Sequence, residues 1–162
     1  MGYARRIGLV LLLVLAACSA GDRSEVMAGH ALRDLFDARQ RWESVSYSKP
    51  YTFVYKRECY CALHGNDISV AVDWAGKVAR FSLSNQSLTE ETTRIFSPLI
   101  RTIPDLFNEA LGLIEDSLKE GTELKVEYDA EYGFPERIDW KSAKNDGHSG
   151  SFTLEVLEFG FE

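Results

Sequence analysis

Cys59, Tyr60, Cys61 and His64 are the residues of this 162-residue chain whose types and spacing come nearest to chemistry. Two thiols one residue apart can trade electrons with a dithiol. With an imidazole three residues further on, they also offer three of the four ligands that a zinc or copper site takes. A fourth ligand is not evident. In a regular strand, residues two apart lie ~6.8 Å from each other along the chain, whereas a disulfide wants its Cβ atoms ~3.5–4.5 Å apart. A Cys59–Cys61 bond therefore requires the strand to bend, and a bond so placed is expected to be strained and reducible. No C-x-x-C at a helix start is present to depress a thiol pKa. A structural disulfide, buried thiols, a redox pair and a metal site all stay open on these residues.

The second group is Tyr128-Asp129-Ala130-Glu131-Tyr132-Gly133-Phe134-Pro135. Asp129 and Glu131 have the types for acid–base work, but Gly133 and Pro135 mark a tight turn that accounts for the acids more simply. Asp139, Asn145 and Asp146 lack the order and the distal Glu of a calcium loop. G-x-S-x-G, H-E-x-x-H and a phosphate-cradling glycine loop are absent from the sequence, so no catalytic residue, resident metal or cofactor is assigned. His30 and His148 are read as solvated.

The third group concerns location. Arg5 and Arg6 precede an apolar run from Ile7, which ends in Leu15-Ala16-Ala17-Cys18. The run is too short to cross a bilayer core, which takes about 20 helical residues. It reads as a cleaved signal of lipobox type, with residues 1–17 removed and lipid on Cys18. A plain secretory signal is the alternative. Cleavage takes Arg5 and Arg6 from the 18 basic residues, leaving 16 against 25 acidic ones and a net charge near −9. An acidic chain without a basic cluster is a poor nucleic-acid ligand and has no polybasic patch for anionic lipid, so membrane contact falls to the lipid on Cys18. With Cys18 acylated, Cys59 and Cys61 are left as an isolated pair in an oxidising compartment.

The elements that must position these residues follow from periodicity. Residues 18–30 are small and polar and predict a flexible tether, and residues 31–162 a single domain. Leu32, Leu35, Phe36, Trp42 and Val45 predict an amphipathic helix to about Ser44. Alternation predicts a strand with Tyr51, Phe53 and Tyr55 inward, whose parity Cys59 and Cys61 continue. A second strand carries Ile68, Val70 and Val72, an Asp73-to-Gly76 turn follows, and Val78 to Leu83 form a third. Ser87 and Glu90 suggest a capping box for a short helical piece ended by Pro98. Thr102 or Ile103, Pro104 and Asp105 open a firmer helix that Gly121 stops. Strands follow at Leu124 to Tyr128, Phe134 to Trp140 and Ser151 to Phe161. In the last, the apolar parity switches between Val156 and Leu157, which predicts a β-bulge there or a strand buried on both sides.

The fold class is thus α+β: an antiparallel sheet of about six strands with two main helices on one face. Val70, Val72, Asp73, Gly76, Arg80 and Phe81 match Val126, Tyr128, Asp129, Gly133, Arg137 and Ile138 with one insertion. That match suggests two α-β-β-β units, although hairpin turn chemistry alone would produce it.

A lipobox, an aromatic strand running into Cys59-x-Cys61, a Val-x-Val-Asp hairpin and the motif Tyr128-Asp129-x-x-Tyr-Gly133-x-Pro135 together resemble a bacterial lipoprotein family with a domain of unknown function. The resemblance spans Leu35 to Phe159 and implies a small secreted or lipid-anchored domain with no catalytic residue to carry over. Asp146 stands where that family has an acidic loop residue. The resulting expectation is a non-enzymatic envelope protein that binds another envelope component or a small ligand through its sheet surface or an open edge, with Trp74 and Trp140 as candidate contacts. The alternative is a thiol-redox or metal-handling protein using Cys59 and Cys61, with His64. Ser19 after the anchor resembles the pattern of outer-membrane lipoproteins, which would place the domain on the periplasmic face of the outer membrane.

Overall fold

The alternation of Tyr51, Phe53 and Tyr55 with smaller or charged residues resolves into the strand around which the sheet is laid. A computed structural model describes residues 21–118, 122–142 and 151–162. In chain order they form α1 (Gly21–Ser46), β1 (Tyr51–Glu58), β2 (Asp67–Val72), β3 (Val78–Leu83), α2 (Glu90–Phe96), a 3-10 turn (Ser97–Leu99), α3 (Ile103–Ser117), β4 (Glu123–Tyr128), β5 (Pro135–Lys141) and β6 (Ser151–Phe161). The six strands make one sheet in the order β3-β2-β1-β6-β5-β4, antiparallel throughout. Its centre is the long-range pair β1–β6, and β3 and β4 are its edges.

The expected α+β class and six-stranded antiparallel sheet are present, with three α-helices among the described residues rather than two main ones. The short helical piece is α2, and it is capped by Thr89 with Thr92 instead of Ser87 with Glu90. The Thr89 hydroxyl accepts from the Thr92 N–H and the Thr92 hydroxyl from the Thr89 N–H, so a threonine pair does the work sought from Ser and Glu. Thr102 caps α3, Pro104 lies in its first turn, and Asp105 completes a capping box with Thr102. Helix α1 starts by Gly21, so residues 21–30 are helical where composition suggested a tether. No proline interrupts that stretch, and Ala31 and Leu32 at its end pack on the core. Residues 1–20, Gly121 and the loop with Asn145, Asp146 and His148 lie outside the described residues.

The core sits between the helices and one face of the sheet. Leu35, Ala38 and Trp42 of α1 and Ile103, Leu106, Phe107, Ala110 and Ile114 of α3 are buried against it. Spacings of three and four put these residues on one stripe of each helix. Trp42 is the keystone of the aromatic end, with ring centroids 5.2 Å from Tyr51, 5.5 Å from Phe159, 6.1 Å from Phe161 and 6.2 Å from Phe134. Strand β6 can feed this cluster because Val54 pairs with Glu158 and Tyr55 with Val156, which leaves Leu157 as an extra residue. That bulge is the one the parity switch predicts, and it turns Phe159 and Phe161 to the same face as Leu154 and Val156. Burial of Tyr51 and Tyr55 raises their hydroxyl pKa values. Their oxygens accept the Ile103 and Arg101 backbone N–H groups at 3.3 and 3.2 Å and so pin the start of α3 to β1.

In chain order each half reads helix then three strands, as expected, but the sequence repeat falls on hairpins that are not equivalent in the two halves. The matching hairpins are β2–β3 and β4–β5, which are the last two strands of the first half but the first two of the second. Two α-β-β-β units therefore do not align. Since each half contributes an odd number of antiparallel strands, overlaying one on the other in chain order would send its helix to the opposite face.

Candidate functional site: the open face of the sheet

The helices cover one face, and along each strand the alternate side chains point to the other. Two kinds of surface result. On the β4–β5 side that face is a lattice of ion pairs. Arg137 bonds Asp139 at 2.8 Å and Glu155 at 3.4 Å, Lys56 reaches Glu155 at 2.9 Å, and Lys125 meets Glu127 at 2.6 Å. The Thr153 hydroxyl donates to Asp139 at 2.7 Å. Hydrogen bonds from Arg137 and Thr153 hold the Asp139 carboxyl below its ordinary range, and Lys56 does the same for Glu155. This surface satisfies its own charges.

A hollow of about 540 Å³ nevertheless lies over β4, β5 and β6, lined by Lys125, Asp139, Trp140, Phe152 and Thr153. The β1–β2–β3 side differs in being ringed by fewer charges. Thr52, Val54, Ser69, Ala71, Ser82 and Gly160 floor an open trough of about 440 Å³. Arg80 stands at its β3 edge and Glu158 on β6 at the far side. Register makes two rows across four strands: Arg80, Ala71, Thr52 and Gly160, then Ser82, Ser69, Val54 and Glu158. The Arg80 guanidinium has one ion pair among the described residues, with Glu162 at 4.0 Å. Both side chains are well exposed (79% and 50%), which makes that pair weak.

The residues singled out by sequence lie elsewhere. Strand β1 stops at Glu58, and the chain then turns tightly, with the Cys61 N–H bonded to the Cys59 carbonyl at 2.9 Å. That turn corrects the expectation that both cysteines continue the strand, and it supplies the bend that a bond requires. Cys59 and Cys61 are disulfide-bonded with Cα atoms 5.3 Å apart. Their sulfurs are thus not free thiolates, and among the described residues no group of three His, Cys, Asp or Glu is gathered to hold a metal. His64 is exposed in the same loop, and His30 is exposed on α1.

Tyr128, Asp129, Gly133 and Pro135 come together at the opposite end of the sheet as the β4–β5 turn. Asp129 Oδ1 accepts the N–H groups of Glu131 and Tyr132, its carbonyl accepts that of Gly133, and its own N–H donates to Phe134. Gly133 has φ +84°. A Cβ there would collide with the Ala38 carbonyl and lie 3.0 Å from Arg41 Cβ, so the turn is pressed against α1. Tyr128 stacks on Phe107, and burial raises its hydroxyl pKa. Its Oη and the Trp140 Nε1 find no partner among the described residues. Trp140 packs on Phe152, whereas Trp74 is 75% exposed at the β2–β3 turn. Asp129 and Glu131 are turn residues in this geometry: Asp129 Oδ1 is taken up by backbone N–H groups, and Glu131 is hydrogen-bonded to the Tyr132 side chain, which raises the Tyr132 hydroxyl pKa.

Sequence reading missed the trough because its signal is weak. At the middle of β1, β2, β3 and the end of β6, Thr52, Ser69, Ala71, Ser82 and Gly160 stand at outward positions where β4 and β5 carry charge, and small residues are easily passed over as filler.

These features define a class: an α+β domain with one six-stranded antiparallel sheet, a helical layer on one face and the other face open. More particularly, the chain belongs to a family of unknown function, DUF6174, matched over residues 34–148. The matched span starts within α1, downstream of Cys18, and includes the cysteine pair and the Asp129 turn. No curated protein and no solved structure shows significant similarity to the chain.

Proposed function

We propose that this chain is a bacterial lipoprotein, held in the cell envelope through lipid on Cys18, and that its domain is a binding module without catalytic activity. The leader sequence supports the anchor. The observation that carries the binding role is the trough: one half of an uncovered sheet face leaves a hollow lined by hydroxyls and methyls, between an arginine and a glutamate. Its volume lies in the range of small-molecule sites. Two measurements test the two halves of this reading. Metabolic labelling with an alkyne fatty acid should mark the wild-type chain and miss Cys18→Ala, and equal labelling would remove the anchor. A photo-crosslinking residue at Ser69, in the trough, should give adducts in cells, while one at Glu127, in the ion-pair lattice and outside either hollow, should not. Adducts at neither position would sink the binding role.

A second reading rests on the bonded Cys59–Cys61 pair, with Cys61 exposed and Cys59 half-buried. Its disulfide would accept two electrons and two protons from a substrate dithiol, leaving two thiols here and a disulfide there. Retention of the bond in a reducing glutathione buffer would dismiss it.

A further inference from the structure

The two arginines Arg80 and Arg137 occupy equivalent places in equivalent hairpins, each one residue pair before a bulge, opposite Ala71 and Glu127 respectively. Arg137 is neutralised twice, by Asp139 and Glu155. The positions around Arg80 that correspond to Lys125, Glu127 and Asp139 hold Ser69, Ala71 and Ser82. One hairpin thus keeps the cation and omits the acids at the matched positions beside it. What remains to Arg80 is the 4.0 Å contact with Glu162, which an incoming carboxylate can displace. Across the trough, Glu158 is exposed and has no ion pair among the described residues.

The spacing of these opposite charges selects a ligand. Arg80 and Glu158 are separated by three strand spacings, ~14 Å, and by two residues along the strands, ~7 Å, giving a diagonal of ~16 Å. A fully extended pentapeptide covers about that length, with an ammonium at one end and a carboxylate at the other. Between the charges, the hydroxyls of Thr52, Ser69 and Ser82 can both donate to and accept from peptide groups, and Ala71 and Gly160 leave room for a main chain to lie close to the sheet. We infer that the trough binds a short peptide with free termini, its carboxylate on Arg80 and its amine toward Glu158. The inference rests on the open face being the binding surface and adds the ligand class.

Isothermal titration of the detergent-solubilised full chain with pentaalanine, N-acetyl-pentaalanine and pentaalanine amide tests it. Saturable binding of the free peptide is expected, weakened at least fivefold by either cap. Arg80→Gln should weaken the free peptide by a similar factor and leave the amide unchanged, and Ser69→Trp, at an exposed position, should abolish binding by filling the trough. No heat with any peptide, equal affinity for free and amidated forms, or full binding by Ser69→Trp overturns the inference. Adducts from Ser69 in cells combined with an empty peptide titration would show that the ligand class is wrong while the binding role stands. Failure of both experiments removes both.

Discussion

The hairpins β2–β3 and β4–β5 are built by the same device and used differently. In each, an aspartate closes the turn through Oδ1: Asp73 accepts the N–H groups of Ala75 and Lys77 at 2.9 Å, as Asp129 accepts those of Glu131 and Tyr132. Each has a glycine at positive φ, +76° for Gly76 and +84° for Gly133, and each has a bulge before its final pair. The β4–β5 turn, however, is wedged against α1, its Tyr132 and Phe134 join the rings around Phe159, and its outer face is locked by ion pairs. The β2–β3 turn projects free, with Trp74 at its tip and the trough on its outer face. Closely similar turn chemistry, one residue longer in the second hairpin, therefore shapes a hairpin without deciding its role. Packing beyond the turn decides it.

The largest effects should come from the buried partner of the packed turn. Trp42→Ala removes a ring shared by four aromatic neighbours, Phe134 among them, and should cost about 3–5 kcal/mol in urea unfolding, against less than about 0.5 kcal/mol for Trp74→Ala. Comparable losses from the two tryptophans would erase the contrast. Gly133→Ala comes next: left-handed strain of about 1–2 kcal/mol is joined by the collision with Ala38, for about 3 kcal/mol in all. Gly76→Ala meets open space and should show the strain alone, about 1 kcal/mol.

Acid should separate the hairpins too. Asp139 and Glu155 have carboxyl pKa values held below their ordinary 3.8 and 4.5, so the stability they contribute is fully present above those values and is lost as pH falls beneath them. Hydrogen exchange should show β4–β5 losing protection in that window before β2–β3, and Asp139→Asn should narrow the gap. Loss of the disulfide should be mild. The bond closes a loop of only three residues, for which chain entropy gives about 1.5 kcal/mol, so Cys59→Ser with Cys61→Ser should lower Tm by only a few degrees. A collapse of the fold would mean that the bond also organises the loop to Asn66.

Legibility in the sequence followed the range of the interaction. The Val156–Leu157 bulge, the start of α3 at Thr102 or Ile103 and the inward Tyr51, Phe53 and Tyr55 were readable because each is written in the parity or spacing of adjacent residues, while the capping role of Asp105 emerged only with the structure. The seating of β6 between β1 and β5 was not, because it joins segments about a hundred residues apart and no local pattern names a partner. The cysteine turn was half readable: spacing demanded a bend, while alternation argued for a straight strand, and the bend is what formed. The trough was least legible, since it consists of what four strands lack on one face, and that face exists only once β6 has docked.

The early start of α1 has a mechanical consequence. At 1.5 Å per residue its 26 residues make a rod of ~39 Å, and only Ser19 and Ala20 intervene between Cys18 and its first described residue. Its part from Ala31 onward packs on the core, so the helix that precedes the domain is Gly21–His30, ~15 Å of spacer that, with lipid on Cys18, would be stiffer than the slack leash its composition suggests. A helical spacer holds its length where a coil of the same residues would not, which raises the local concentration of anything within that reach. Inserting a Gly-Ser segment after Ala20 would restore the leash without touching the domain.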